Sequence, residues 1–211
     1  MSRLTKTNRE KLINDLLGAY PDAKCALDYD SNYHLLVAVV LSAQTTDVSV
    51  NKVTPVLFQA APTPEAMVKL GQAKLEEHIR SIGLYKNKAK NVIALSKELT
   101  ERFGGEVPRT FDELTSLPGV GRKTANVVMA ELFGEQTIAV DTHVFRLANR
   151  MGLVQADNVL DTELQLQKAI PHELWTKMHH ALIWHGRLVC SAKKPDCLNC
   201  VVKDSCKRNG L

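Results

Sequence analysis

Apolar residues recur at intervals of three and four along nearly the whole chain, and no stretch alternates apolar with polar residues for long enough to make a strand and hairpin. That periodicity predicts an all-α protein. Leu12, Ile13, Leu16 and Leu17 mark a first helix stopped by Gly18 and Pro21. Leu35 to Leu41 is an unbroken apolar run, too short for the roughly 20 residues a bilayer crossing needs, and predicts a helix buried in the core. Pro55 then interrupts a valine-rich segment. Either it kinks a helix that begins after Asp47, or Thr54 caps a new helix with Pro55 in its first position.

Thr63 with Pro64 reads as a helix start, and Gly83 as the end of the helix carrying Leu75 and Ile79. Gly104 and Gly105 close the next, which carries Val92, Ile93 and Leu99. Thr110 and Glu113 have capping-box spacing and open a short helix that ends near Leu117. Later helices are expected over 142–151, 160–169 and 173–188. No internal repeat, low-complexity run or linker marks a domain boundary.

Composition narrows the class. Of 211 residues, 45% are hydrophobic and 24% charged, which disfavours disordered and fibrous proteins. Twenty-seven Lys and Arg against 23 Asp and Glu leave +4, a mild excess that suits a polyanionic partner and equally an ordinary basic protein. The opening segment MSRLTKTNREKLINDLL lacks the apolar core and cleavage site of a signal peptide, so a cytoplasmic protein without a targeting signal is expected. Four of the five cysteines crowd into the end of the chain, a distribution unlike a disulfide scaffold and suggestive of a metal in a reducing compartment.

The stretch LPGVGRKTANVVMAELFG sets a Pro-Gly-Val-Gly turn between two helical segments, the pattern of a helix-hairpin-helix. Gly119 and Gly121 are free to adopt positive φ and to admit another backbone, and the turn aims N–H groups from the start of the second helix, where a DNA phosphate fits without base-specific contact. A plain interhelical turn is the alternative. Lys123 falls in the first turn of that helix, where the macrodipole opposes an ammonium and makes a neutral, nucleophilic amine more accessible. Taken on position alone, a solvated lysine or a simple phosphate contact is the better explanation, because most lysines near helix starts have no chemistry.

Asp141 in IAVDTHVFR has the position of a helix N-cap; its carboxylate stays ionised and could stabilise positive charge on a sugar or deprotonate an attacking amine. His143 beside it either assists or packs at the helix start. Cys190, Cys197, Cys200 and Cys206 are separated by six, two and five residues, with only one Cys-x-x-Cys pair. Zinc ribbons offer two close pairs, whereas a cubane iron–sulfur cluster tolerates wider, unequal loops; together with the resemblance described below, this favours iron–sulfur over zinc. Lys193 and Lys194 lie inside the first of these loops and could meet phosphate. Cys25 reads as an ordinary buried thiol, and His179, His180 and His185 lack zinc-site spacing and read as structural.

Five blocks in order, LSAQTTDVSVNK, IGLYKNKAKN, LPGVGRKTAN, VDTHVFR with its aspartate eighteen positions beyond Lys123, and the four-cysteine tail, closely resemble the helix-hairpin-helix DNA glycosylases of the endonuclease III type. The resemblance runs nearly end to end. It implies a six-helix domain over 22–135 and a second helical domain made of 1–21 plus 136–211 that carries a [4Fe-4S] cluster on the four cysteines. It further implies that Lys123 is a Schiff-base nucleophile and Asp141 its catalytic carboxylate, contributed by different domains. By the same likeness Pro118, Gly119, Val120, Gly121 and Arg122 form the phosphate-binding hairpin, Gln44 fills the gap left by a flipped nucleotide, and Leu84 is a wedge. Without the likeness, Gln44 is a helix-end polar residue and Leu84 a hydrophobic contact closing a helix.

Lys86, Lys88 and Lys90 gather at an expected helix start, where cations suit phosphate contact somewhat better than a solvated face. The implied activity is a monomeric base-excision-repair glycosylase and AP lyase, acting at the nucleoid on oxidised or ring-saturated pyrimidines in double-stranded DNA. Rival readings are a mismatch-specific glycosylase of the same fold, a non-catalytic DNA-binding or redox-sensing iron–sulfur protein, and a hydrolytic nuclease with Asp47 and Asp141 as metal ligands.

Overall fold

The structure, a computed structural model, describes residues 3–211. Its helices are α1 (Lys6–Ala19), α2 (Asn32–Leu41), α3 (Asp47–Ala60), α4 (Pro64–Leu70), α5 (Gln72–His78), α6 (Tyr85–Phe103), α7 (Phe111–Ser116), α8 (Arg122–Phe133), α9 (Thr142–Met151), α10 (Val159–Ala169) and α11 (Trp175–Leu188). A short 3-10 turn, His172–Leu174, precedes α11, and no strand occurs among the described residues. The all-α expectation is met. No helix among the described residues is long and apolar enough to cross a membrane.

Two units divide the chain: Ala26–Gly134, and Met1–Cys25 together with Glu135–Leu211. In the contiguous unit the starts are set by side-chain caps. Ser31, Thr46, Thr63 and Thr110 each accept a backbone N–H three residues on, satisfying donors that the helix itself leaves orphaned. Helix α2 is buried from Tyr33 to Leu41 and packs against α3, α6 and α8, as the apolar run requires. Thr110 accepts the Glu113 N–H at 3.3 Å and donates its own proton to the Glu113 carboxylate at 2.7 Å, so the capping residues do pair.

The first of the two Pro55 alternatives holds, and the Gly83 expectation does not. Helix α3 runs through Pro55 from its cap at Thr46, so Thr54 starts nothing; it is buried, and its hydroxyl makes no hydrogen bond. Gly83 does not end the helix of Leu75, because α5 already stops at His78. The break that sequence reading missed is Gly71, whose φ of 79° parts α4 from α5 and brings the unit to seven helices.

The composite unit packs α9 and α1 on α11 and α10 on α9, around Leu12, Leu16, Val144, Leu147, Leu166, Met178 and Leu182. Helix α9 spans 142–151 as expected, and α10 starts one residue early. Gly186 lets α9 and α11 come close: a Cβ there would lie 3.0 Å from the His143 ring. The tail folds back onto the end of α9, with Lys207 and Asn209 donating to the carbonyls of Met151 and Arg150.

Candidate active site and cysteine loop

Helix α7 ends at Ser116, and the chain turns through 117–121 into α8. The Val120 N–H closes the turn on the Leu117 carbonyl at 3.1 Å, and the buried Val120 side chain anchors it. Gly119 has φ of 78°, and a Cβ there would sit 2.9 Å from Asn91 Cβ on α6, so this glycine is required twice over. Gly121 departs from expectation. Its φ is −92° and open space surrounds the place of a Cβ, so folding does not demand glycine; the bare backbone leaves room in front of α8 instead.

Gly121 is the N-cap of α8 and offers no side-chain acceptor, and the first intrahelical bond runs from Ala125 N–H to the Gly121 carbonyl. The start of α8 therefore retains positive dipole and outward N–H groups, suited to an anion. Pro118 is half-buried, and Arg122 lays its guanidinium over the Phe111 ring at 5.0 Å from the centroid. Lys123 stands exposed in the same first turn.

Gln44 and Leu84, in the same unit, share an unusual backbone. They have φ of 53° and 58°, a left-handed conformation that costs a non-glycine residue about 1 kcal/mol or more. Leu84 is the N-cap of α6 and 53% exposed, so it is not the hydrophobic contact that closes a helix. Gln44 is exposed at the end of the turn after α2. Lys86 and Lys90 are exposed, but Lys88 is buried with its ammonium on the Thr45 hydroxyl, and burial lowers its pKa. A solvated face is wrong for Lys88.

In the composite unit Asp141 caps α9, its Oδ1 accepting the Val144 N–H at 2.8 Å. A carboxylate suits this position, since a helix start favours negative charge. His143 packs beside Gly186, with Nδ1 3.3 Å from Arg146. Asp47 lies in the first turn of α3 and belongs to the other unit.

The four tail cysteines form no disulfide and line one cavity, with Cys190 buried and the others half-buried. Cys25, expected to be buried, is half-buried and outside that cavity. Two side chains that sequence reading passed over organise the cradle. Arg150, buried on α9, donates Nη1 to Cys190 Sγ at 3.3 Å and to the Ser191 carbonyl at 2.8 Å, and Nη2 to the Ala192 carbonyl at 3.1 Å. Arg146, one turn earlier, donates to the carbonyls of Gly186 and Cys190. The signal was present in the sequence as Arg-x-x-x-Arg, which puts two guanidiniums on one helix face.

His185 is fully buried between Tyr20 Oη, 2.8 Å from Nδ1, and Cys200 Sγ, 3.4 Å from Nε2. Burial lowers its pKa to about 4, so the ring is neutral at pH 7. A neutral ring has one N–H and one acceptor nitrogen, so Tyr20 Oη and Cys200 Sγ take complementary hydrogen-bond roles on its two sides. His179 and His180 are buried as well, in line with a structural reading. Lys193 and Lys194 are exposed on a turn closed by Ser191, whose hydroxyl donates to the Lys194 carbonyl at 2.6 Å. Among the described residues no three His, Cys, Asp or Glu side chains are arranged to hold a single metal ion.

Comparison with known proteins agrees with this architecture. Residues 37–172 match the HhH-GPD superfamily base excision DNA repair protein model. Endonuclease III of Escherichia coli K12 is 46% identical, with 97% of each chain covered, and that of Bacillus subtilis 49%, over 89% of this chain and 86% of its own. A solved structure of a trapped endonuclease III–DNA covalent intermediate superposes with a TM-score of 0.94 at 47% identity, covering 97% of both chains. A thermostable thymine-DNA glycosylase, 23% identical at a TM-score of 0.84, shares the fold. The hairpin, the capped aspartate and the cysteine loop thus sit in a chain that belongs to the HhH-GPD superfamily of base excision repair proteins, within its endonuclease III family.

Proposed function

We infer that this chain is a base-excision-repair DNA glycosylase with AP lyase activity that removes oxidised pyrimidines from double-stranded DNA. The observation that carries the reading is the exposed Lys123 in the first turn of α8, directly after a hairpin whose uncapped start suits a phosphate. An amine held there works on a deoxyribose whose backbone is gripped by the same element. The exposed Lys193 and Lys194 add phosphate contacts, and exposed Gln44 and Leu84 serve the extruded nucleotide's vacancy and the strained stack.

In the reaction, the neutral Lys123 amine bonds to C1′ while the C1′–N bond to the base breaks and the base leaves with that electron pair and a proton. Asp141 supplies negative charge toward the cationic sugar, or takes the amine's proton. Ring opening then gives a Schiff base between Lys123 and C1′. The iminium acidifies C2′–H, and loss of that proton expels the 3′ phosphate by β-elimination, cutting the strand without water as nucleophile. Ring-saturated pyrimidines stack poorly, so they leave the duplex at lower cost than intact bases.

The cysteine residues fit a [4Fe-4S] cluster. Four thiols line one cavity, Arg150 donates an N–H to Cys190 Sγ, and His185 Nε2 lies 3.4 Å from Cys200 Sγ, a setting for an anionic sulfur-rich group. Bound there, the cluster supplies a rigid anchor for the tail. The chain's own contribution is to hold the Lys193–Lys194 turn in place. In this reading the Ala26–Gly134 unit is the hairpin domain and the composite unit the cluster domain, and the protein works as a cytoplasmic monomer on the nucleoid.

Borohydride trapping on duplex DNA with a defined abasic site, followed by a panel of lesion duplexes, tests the assignment. Wild type yields a covalent adduct and Lys123→Ala yields none. Absence of any adduct in the wild type would favour a non-catalytic DNA binder, and strand cleavage undiminished in Lys123→Ala would remove the assigned nucleophile. Activity that survives chelator argues against a hydrolytic nuclease.

A further inference from the structure

Lys88 is 4% exposed, yet its partner is a hydroxyl and not a carboxylate, and burial alone shifts its pKa. A buried ammonium held by a hydroxyl, with no carboxylate partner, is costly. Lys88 lies in the first turn of α6, where its N–H makes the ordinary first helical bond to the Leu84 carbonyl at 3.0 Å, and its Nζ reaches across to Thr45, the residue directly after Gln44. Leu84 and Gln44 are two of the three non-glycine residues with positive φ among the described residues. Three residues further along the same face of α6, Asn91 lies beneath Gly119 of the hairpin.

We propose that Lys88, on the helix also seated under the phosphate-binding hairpin, is a positioning residue that clamps the Gln44 turn to the Leu84 turn, so that both side chains are presented to the duplex as one preorganised pair. The proposal rests on the reading of Gln44 and Leu84 given under Proposed function. Its mechanism is entropic. Two residues in disfavoured backbone conformations, on separate loops, would otherwise each have to be ordered when the base is extruded. Fixing them beforehand moves that cost from the extrusion step to folding.

The test compares Lys88→Met, which keeps the aliphatic stem, and Thr45→Val, which removes only the acceptor, with their combination. Three measurements are made: single-turnover excision of a ring-saturated thymine from duplex DNA, cleavage of an abasic site in single-stranded DNA, and the salt dependence of duplex binding. Each single variant is expected to slow duplex excision about tenfold, and the double variant no further, because both remove one link. Single-strand cleavage, with no base to extrude, stays within about twofold, and the salt slope is unchanged.

Excision at the wild-type rate in both variants overturns the proposal, as does multiplication of the two effects or an equal loss on single strands. A salt slope lower by about 1 in Lys88→Met would reassign the residue to a phosphate contact. Should Lys88→Met fold poorly, Thr45→Val decides alone. Failure of the wild type to form the borohydride adduct strikes the underlying reading; a normal adduct with unaffected excision in Thr45→Val strikes only the clamp.

Discussion

Arg150 sends Nη1 to the sulfur of Cys190, 3.3 Å away, and with the same guanidinium holds the carbonyls of Ser191 and Ala192. One buried cation on α9 thereby secures the first cysteine and the chain that leaves it. Arg150→Met keeps bulk but strips donors from groups in a buried setting, each worth about 1–3 kcal/mol when left unsatisfied. A loss of roughly 2–4 kcal/mol in denaturant unfolding is expected, together with reduced iron content per chain. Full stability and iron content in this variant would show the guanidinium to be dispensable.

Asp141 does two jobs that substitution can separate. Asp141→Asn retains an oxygen for the Val144 N–H and should cost under about 0.5 kcal/mol, whereas Asp141→Ala loses the cap and about 1 kcal/mol. Both should lose at least about a hundredfold in single-turnover excision, because both remove the charge. Paired melting curves and kinetics check this; an Asn variant with near-normal excision would reduce Asp141 to a helix cap.

The two hairpin glycines should respond differently to alanine. Gly119→Ala forces a Cβ onto Asn91 at positive φ, and a destabilisation of at least about 1–2 kcal/mol is expected. Gly121→Ala meets open space at ordinary φ and should fold normally, while its methyl group weakens DNA binding by crowding the approach to α8. Equal melting temperatures for the two variants would contradict this division.

Leu84→Gly should trade activity for stability. Relief of left-handed strain at a largely exposed residue is worth about 1 kcal/mol, and removal of the wedge should slow excision from duplex DNA. Denaturant midpoints and single-turnover rates measure the two effects. A Gly variant that is less stable, or fully active on duplex, is inconsistent with a strained functional leucine.

Much of this protein is local chemistry, and that part was readable from residue order. Apolar spacing predicts α1, α2 and α9; the Thr63–Pro64 and Thr110–Glu113 pairs announce helix starts because a cap bonds within three residues. The hairpin, Asp141 at its N-cap and the grouped cysteines are likewise contiguous signals. Other features needed the folded chain. Pro55 left two readings that only the packing of α3 resolved, and Gly71 looked like any other glycine until its φ broke the helix.

The burial of Lys88 on Thr45, 43 residues away in sequence, and the hold of Arg150 on the cysteine loop 40 to 42 residues on are the decisions of tertiary structure. A charged side chain carries no mark in the sequence that tells solvent from interior. Its environment is set by distant segments brought together through burial of the apolar faces, and the hydrogen bonds that define these two residues exist only once that packing is complete.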